Sequence, residues 1–261
     1  MRQIAHILAL LGLGWVGLVS ATHAGTYSGL WVGQVTVNKV NEAQNNGQTP
    51  TAVKQEFTFR VIVHVDESGK AYLLKDVIQM WKDGTLNADG SVATPGRYVL
   101  LTDDTRVWQF KGATLRDGQS FGYRISSPAY DFSTSTSGYD AASKGVYLGT
   151  LTSLPATLTC TLSLPKDHPT NPFLHKYHPD HNNLDDQFQT AVAEAYDITR
   201  TLIFTLAATA PNSGDTPGWG ESVIGGTYAE TVTGLHKNSV KASGTFRLTM
   251  AGKIADLNPQ E

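Results

Sequence analysis

The chain has 261 residues, 40% of them hydrophobic, with 20 Lys and Arg against 23 Asp and Glu, a formal net charge of −3 and a single cysteine. A mildly acidic chain without a clustered Lys/Arg run excludes a nucleic-acid binder that works by displacing phosphate counterions. One cysteine excludes an internal disulfide, so burial of a core must stabilise the chain instead.

The first stretch, "MRQIAHILALLGLGWVGLVSATHAG", places Arg2 before an apolar run from Ile4 to Val19 and small residues near Ala24. This is the layout of a secretory signal peptide, and its core is short for a membrane span, which needs about 20 apolar residues. Residues 1–24 are expected to be removed, leaving 25–261 as a single β-rich domain, secreted to the periplasm, the cell surface or the extracellular space, with no transmembrane span in the mature chain. Gly25 rather than Cys follows the cut, which argues against a lipid anchor.

Strand patterns follow. "YSGLWVGQVTVNKV" opens the domain, with Gly29 and Gly33 beside Trp31 predicting a bend or bulge where the ring folds over the core. In "EFTFRVIVHV" the residues Phe57, Phe59, Val61, Val63 and Val65 alternate with Thr58, Arg60, Ile62 and His64, the period of a strand with one buried face. Asp66 to Gly69 reads as a turn, and Tyr72 to Trp81 as the returning strand of a hairpin. "TLTCTLSL" puts Leu158, Cys160, Leu162 and Leu164 on one face, and "TRTLIFTL" does the same with Leu202, Phe204 and Leu206. Tyr228 to Thr233 and Thr245 to Met250 flank a polar turn and close the sheet. Segments rich in Gly, Ser, Asp, Asn and Pro separate these runs, and "DDQFQTAVAEAY" is the only helical candidate. The pattern predicts an all-β fold, an antiparallel β-sandwich or β-barrel with long loops and at most one short helix. An outer-membrane barrel is disfavoured by the lack of aromatic girdle pairs and of an aromatic final residue.

Several segments, "GLWVGQVTVNKVNEA", "FRVIVHVDESGKAYLLKDVIQMW", "NPFLHKYHPDHNNLDDQF" and "GGTYAETVTGLHKNSVKASGTFRL", resemble an uncharacterised β-rich domain of secreted, often multidomain bacterial proteins. The resemblance implies an extracellular or cell-surface setting and a binding or structural part. It brings no catalytic residue. The similar modules often carry Asp where this chain has Asn182, which removes one anionic oxygen from any cation site.

The densest chemical signal lies in "NPFLHKYHPDHNNLDDQF", residues 171–188. His175, His178, Asp180, His181 and Asp185 are candidate metal ligands: imidazoles with a carboxylate suit Zn, whereas Asp180, Asn182, Asp185 and Asp186 with backbone carbonyls suit Ca. The plainer reading is a polar loop stiffened by Pro169, Pro172 and Pro179, its imidazoles and carboxylates bonded to backbone. Neither an "HExxH" helix nor a "GxSxG" elbow is present, and Cys160 reads as a small buried hydrophobe. Trp81, Trp108, Trp219, Tyr130 and Tyr139 lie in or beside loop-like stretches; the plainer role of each is a buried ring closing an end of the fold, and Trp219, Trp108 and Tyr139 are the candidates for contact with a protein or glycan partner. The leading expectation is a secreted, non-enzymatic binding or structural module. The alternatives are a secreted metal-dependent hydrolase using the His/Asp loop 175–186 and a small-ligand carrier with a closed β-barrel.

Overall fold

The computed structural model describes residues 27–112, 114–116, 119–173, 196–211 and 216–259. Its main body is one nine-stranded antiparallel sheet built from β1 (Gly29–Val40), β2 (Thr51–Val65), β3 (Lys70–Leu73), β11 (Tyr139–Asp140), β12 (Gly145–Thr150), β13 (Ala156–Leu164), β14 (Ile198–Leu206), β15 (Val223–Thr233) and β16 (Val240–Gly252), in the order β11-β12-β3-β2-β1-β16-β15-β14-β13. The remaining strands are β4 (Asp76–Lys82), β7 (Arg97–Leu101) and β10 (Tyr123–Ser126), which form a three-stranded sheet in the order β10-β4-β7, and the short hairpins β5 (Thr85–Leu86) with β6 (Val92–Thr94) and β8 (Thr114–Arg116) with β9 (Gln119–Phe121). Two 3-10 turns, Ala43–Asn45 and Asp104–Gln109, are the only helical pieces among the described residues.

The large sheet folds over so that its two halves face one another. Trp31, Val35, Val61, Val63, Leu73, Val146 and Leu148 from one half share a single buried cluster with Leu158, Leu162, Leu202, Phe204, Ile224, Tyr228, Phe246 and Leu248 from the other. The two flanks meet where a Cβ on Gly149 would stand 3.5 Å from the Leu158 side chain, yet β12 and β13 share no ladder among the described residues, so the sheet is an all-β sandwich and not a closed barrel. Rings fill the space between the halves: Phe204 meets Phe246 edge-on at 5.2 Å, and Phe59 meets Tyr130 edge-on at 5.4 Å.

The predicted bend at the start of β1 is present. The β1–β16 register shifts between Leu30 and Trp31, and the fully buried indole of Trp31 donates to the carbonyl of Tyr27 at 2.7 Å. A Cβ on Gly33 would lie 1.9 Å from the Arg247 carbonyl, so the contact of β1 with β16 admits no side chain there. Opposite the core, registered pairing lines up Thr58, Thr36, Thr245, Thr227, Thr205 and Thr157 across six adjacent strands. Threonine suits this outer face because its branched Cβ favours the strand and its hydroxyl faces water.

Two expectations change. Tyr72 to Trp81 is not one returning strand: β3 pairs with β2 only through Ala71–Leu73, and after Leu74 the chain leaves as β4 for the small sheet. The Asp66 turn itself holds, its carboxylate accepting from the Ser68 and Lys70 backbone amides at 2.8 and 2.9 Å. Nor does β2 bury only one face. Ile62 and His64, expected outside, are as buried as Val61 and Val63, because Leu30, Ile62, Leu74, Val77 and Leu100 form a second core between the large sheet and the small one. The other face of the small sheet is closed by Val107 and Phe110, which pack on Ile78, Met80, Val99 and Leu101.

Residues 253–259 strap the layers together. Asp256 and Asn258 bracket Leu100 with backbone hydrogen bonds of 3.1 and 2.8 Å, the Asn258 side chain reaches Thr102 and Ala142, and Arg97 pairs with Asp256 at 2.7 Å. The same strap covers His64, whose Nε2 lies 3.3 Å from the Ile254 carbonyl.

Inside the sandwich, Arg200 on β14 and Glu230 on β15 form an ion pair at 2.5 Å, with Tyr228 donating to the second carboxylate oxygen at 2.7 Å and the guanidinium lying over the Tyr130 ring. Glu230 is buried, so Arg200→Met leaves a carboxylate uncompensated in the core. We expect this variant to lose about 3–5 kcal/mol in denaturant unfolding, and Arg200→Met combined with Glu230→Leu to recover most of that loss.

Burial holds the His64 pKa below its ordinary 6.5, against smaller opposing effects of the Ile254 carbonyl and Asp66. The unfolded chain therefore takes up this proton first as pH falls, so the contribution of neutral His64 is complete above 6.5 and is lost as pH drops through the lowered folded value. Unfolding midpoints measured from pH 7.5 down to 5 should fall more steeply for the wild type than for His64→Gln.

Candidate aromatic cleft

The small sheet carries a candidate site. β4 is its central strand, and the cross-strand pairs Gln79 with Tyr123 and Trp81 with Tyr98 put all four side chains on one face. Lys111 joins them by bridging to Trp81 through two backbone hydrogen bonds of 2.7 and 2.9 Å. Nearer the start of the strand, Val77 on this same face is sealed against the large sheet. Further along β4 the face runs past that contact, leaving Tyr98 53% and Tyr123 65% exposed around an open cleft of about 380 Å³.

Two of the three rings are held in place. Trp81 and Tyr98 meet edge-on at 5.0 Å, and the indole N–H of Trp81 donates to Asp83 at 3.1 Å. Asp83 also pairs with Lys111 at 2.6 Å, and the Lys111 and Trp81 hydrogen bonds hold its carboxyl below the usual carboxylate range. The Gly96 backbone abuts the indole so closely that a Cβ there would stand 2.4 Å from Cζ2. A smaller hollow of about 60 Å³ shares Gln79 and Tyr123 and extends the cleft towards Ile125 and Ile254. Ordered rings interspersed with one amide and one neutralised ion pair make a surface suited to reversible binding. Among the described residues it holds no nucleophile paired with a base.

The sequence candidates fall elsewhere. His175, His178, Asp180, His181 and Asp185, with the helical candidate from Asp185 onward, lie outside the described residues. The base of that excursion is described. It leaves β13 at Leu164 and re-enters β14 at the paired Ile198, closed by the buried Asn171, whose amide donates to the carbonyls of Leu164, Pro165 and Tyr196. His168 sits there beside Thr170, which donates to Asp131 at 2.6 Å, and Lys75 pairs with the other Asp131 oxygen at 2.8 Å. Burial acts to raise the Asp131 pKa, but the Lys75 and Thr170 hydrogen bonds outweigh it and leave the group below its ordinary value. No group of three His, Cys, Asp or Glu able to hold a metal occurs among the described residues. Lys75 precedes β4 and Trp81 lies six residues further, roughly 20 Å along an extended strand, so the base of the His/Asp excursion and the cleft occupy opposite ends of the small sheet.

Of the three partner candidates, Trp108 is 76% exposed on the Asp104–Gln109 turn. Tyr139 is half-buried and packs edge-on against Phe132 at the margin of the core. Trp219 is half-buried between Gly218 and Gly220, both at positive φ, and its buried N–H has no hydrogen-bond partner among the described residues. The three make no ring contact with one another there. Cys160 is buried, and desolvation pushes its thiol up to about 12, which keeps it protonated and inert.

No protein-family model matches this chain, and no curated protein and no solved structure is significantly similar to it.

Gly96→Ala should push the Trp81 indole off Tyr98. The expected outcome is a weakened near-UV circular dichroism signal from this ring pair with an unchanged far-UV spectrum; an unaltered near-UV spectrum would mean that the Gly96 contact does not hold the ring.

Proposed function

We propose that the protein is an exported, non-enzymatic binding module that recognises a partner at the cell surface through the cleft of Trp81, Tyr98 and Tyr123. The observation that carries this reading is an ordered aromatic face, left uncovered where the small sheet runs past the large one. Exposed rings fixed by packing bind with little loss of side-chain freedom, since ordering them was accomplished on folding. The leader-like residues 1–24 support export, and no helix among the described residues is long and apolar enough to cross a membrane. The hydrolase reading draws on the His/Asp loop alone, and the carrier reading meets an interior filled by aromatic rings.

The test uses fluorescently labelled mature protein and intact envelopes of the source cells. Wild type and a His178→Ala/His181→Ala variant are expected to bind equally, and Tyr123→Ala to bind about tenfold more weakly, the loss of one stacking contact. Equal binding by Tyr123→Ala, or binding abolished only by the histidine changes, would refute the cleft as the recognition surface.

A further inference from the structure

We infer that the occupant of the cleft is a neutral glycan, bound with its pyranose rings lying on Trp81 and Tyr123 and its hydroxyls shared between Gln79 and the Asp83–Lys111 pair. The inference rests on the binding reading above and adds the chemistry of the partner. A sugar ring offers an apolar face of C–H groups and a rim of hydroxyls that each donate and accept. The cleft answers both demands: Trp81, Tyr98 and Tyr123 supply the apolar faces, and the amide of Gln79 supplies a donor and an acceptor between them.

Charge narrows the class. Among the described residues, Lys111 is the cationic side chain lining the cleft, and Asp83 neutralises it at 2.6 Å. A sulfated or uronic-acid polymer would therefore find no uncompensated cation among those lining residues, whereas the pair presents donor N–H groups and acceptor oxygens to neutral hydroxyls. Size narrows it further. About 380 Å³, continued by about 60 Å³ past Gln79 and Tyr123, takes a short run of sugar units. A peptide adding to the sheet by strand pairing would use an edge, and these rings stand on the face.

The test keeps the two readings apart. Labelled mature protein is added to source-cell envelopes left untreated, digested with a broad protease, or oxidised with periodate, which cleaves vicinal diols of glycans. Binding that survives protease, is lost after periodate, and changes less than about twofold between 50 and 500 mM salt is the expected result, because a neutral ligand has no charge to screen. Loss with protease and survival after periodate would overturn the glycan in favour of a protein partner and leave the cleft reading standing. A steep fall with salt would overturn the neutral character. Absence of binding to untreated envelopes would overturn both readings. Tyr123→Ala, whose ring is mostly exposed and contributes to none of the three core clusters, should lose about tenfold in affinity for protease-treated envelopes without a change in unfolding midpoint. Trp81→Phe, which keeps a ring in place, should lose less than Trp81→Ala.

Discussion

From Val61 to Val65, β2 is buried on both faces, and the other layers are built on that double burial. Val61, Val63 and Val65 enter the interior of the sandwich, while Ile62 and His64 enter the second core beneath the small sheet and the strap. A strand wet on its outer face would leave β4, β7 and β10 with nothing to pack against, and three short strands do not hold together alone without a hydrophobic face to cover. The small sheet thus exists as a layer because the large one offers it an apolar patch. The limited extent of that patch leaves Tyr98 and Tyr123 exposed, with Trp81 half-buried beside them.

The strap of residues 253–259 turns this layering into a fixed geometry. Its hydrogen bonds to Leu100 and Thr102, and its ion pair with Arg97, tie the last residues of the large sheet's chain to the strand beside β4. The cleft therefore sits on secondary structure clamped from two sides, and rigid elements hold binding groups in a defined arrangement better than free loops do. The charged pair Arg200 and Glu230 lies deeper and plays a different part, fixing the segment at Ala129 and Tyr130 across the interior through the hydrogen bond from Arg200 to the Ala129 carbonyl.

Much of the architecture was legible in alternating residues. "TLTCTLSL" and "TRTLIFTL" announced β13 and β14, but their pairing with one another was not legible because residues 165–197 intervene. The run "VIVHV" carried a signal that alternation alone does not read: five residues with a single polar one mark a strand buried on both faces. Arg200 and Glu230 also left a trace, as opposite charges on the apolar faces of their strands. The cleft was legible only through Trp81. Tyr98 and Tyr123 come from strands 17 and 42 residues further along, and only their registers across β4 bring the three rings together. Trp108 and Trp219 are flanked by loop residues, a context that predicts exposure. Trp108 is exposed but meets no other ring among the described residues, whereas Trp219 is folded into its own glycine-flanked turn.

Hydrogen–deuterium exchange of residues 25–261 with and without polysaccharide extracted from source-cell envelopes reads occupation of the cleft directly. A glycan seated there should protect residues 79–82, 97–100 and 123–126 and leave the threonine face of β13 to β15 unchanged. Protection confined to the turn around Trp219, to the Trp108 segment or to the excursion between β13 and β14 would contradict that seating.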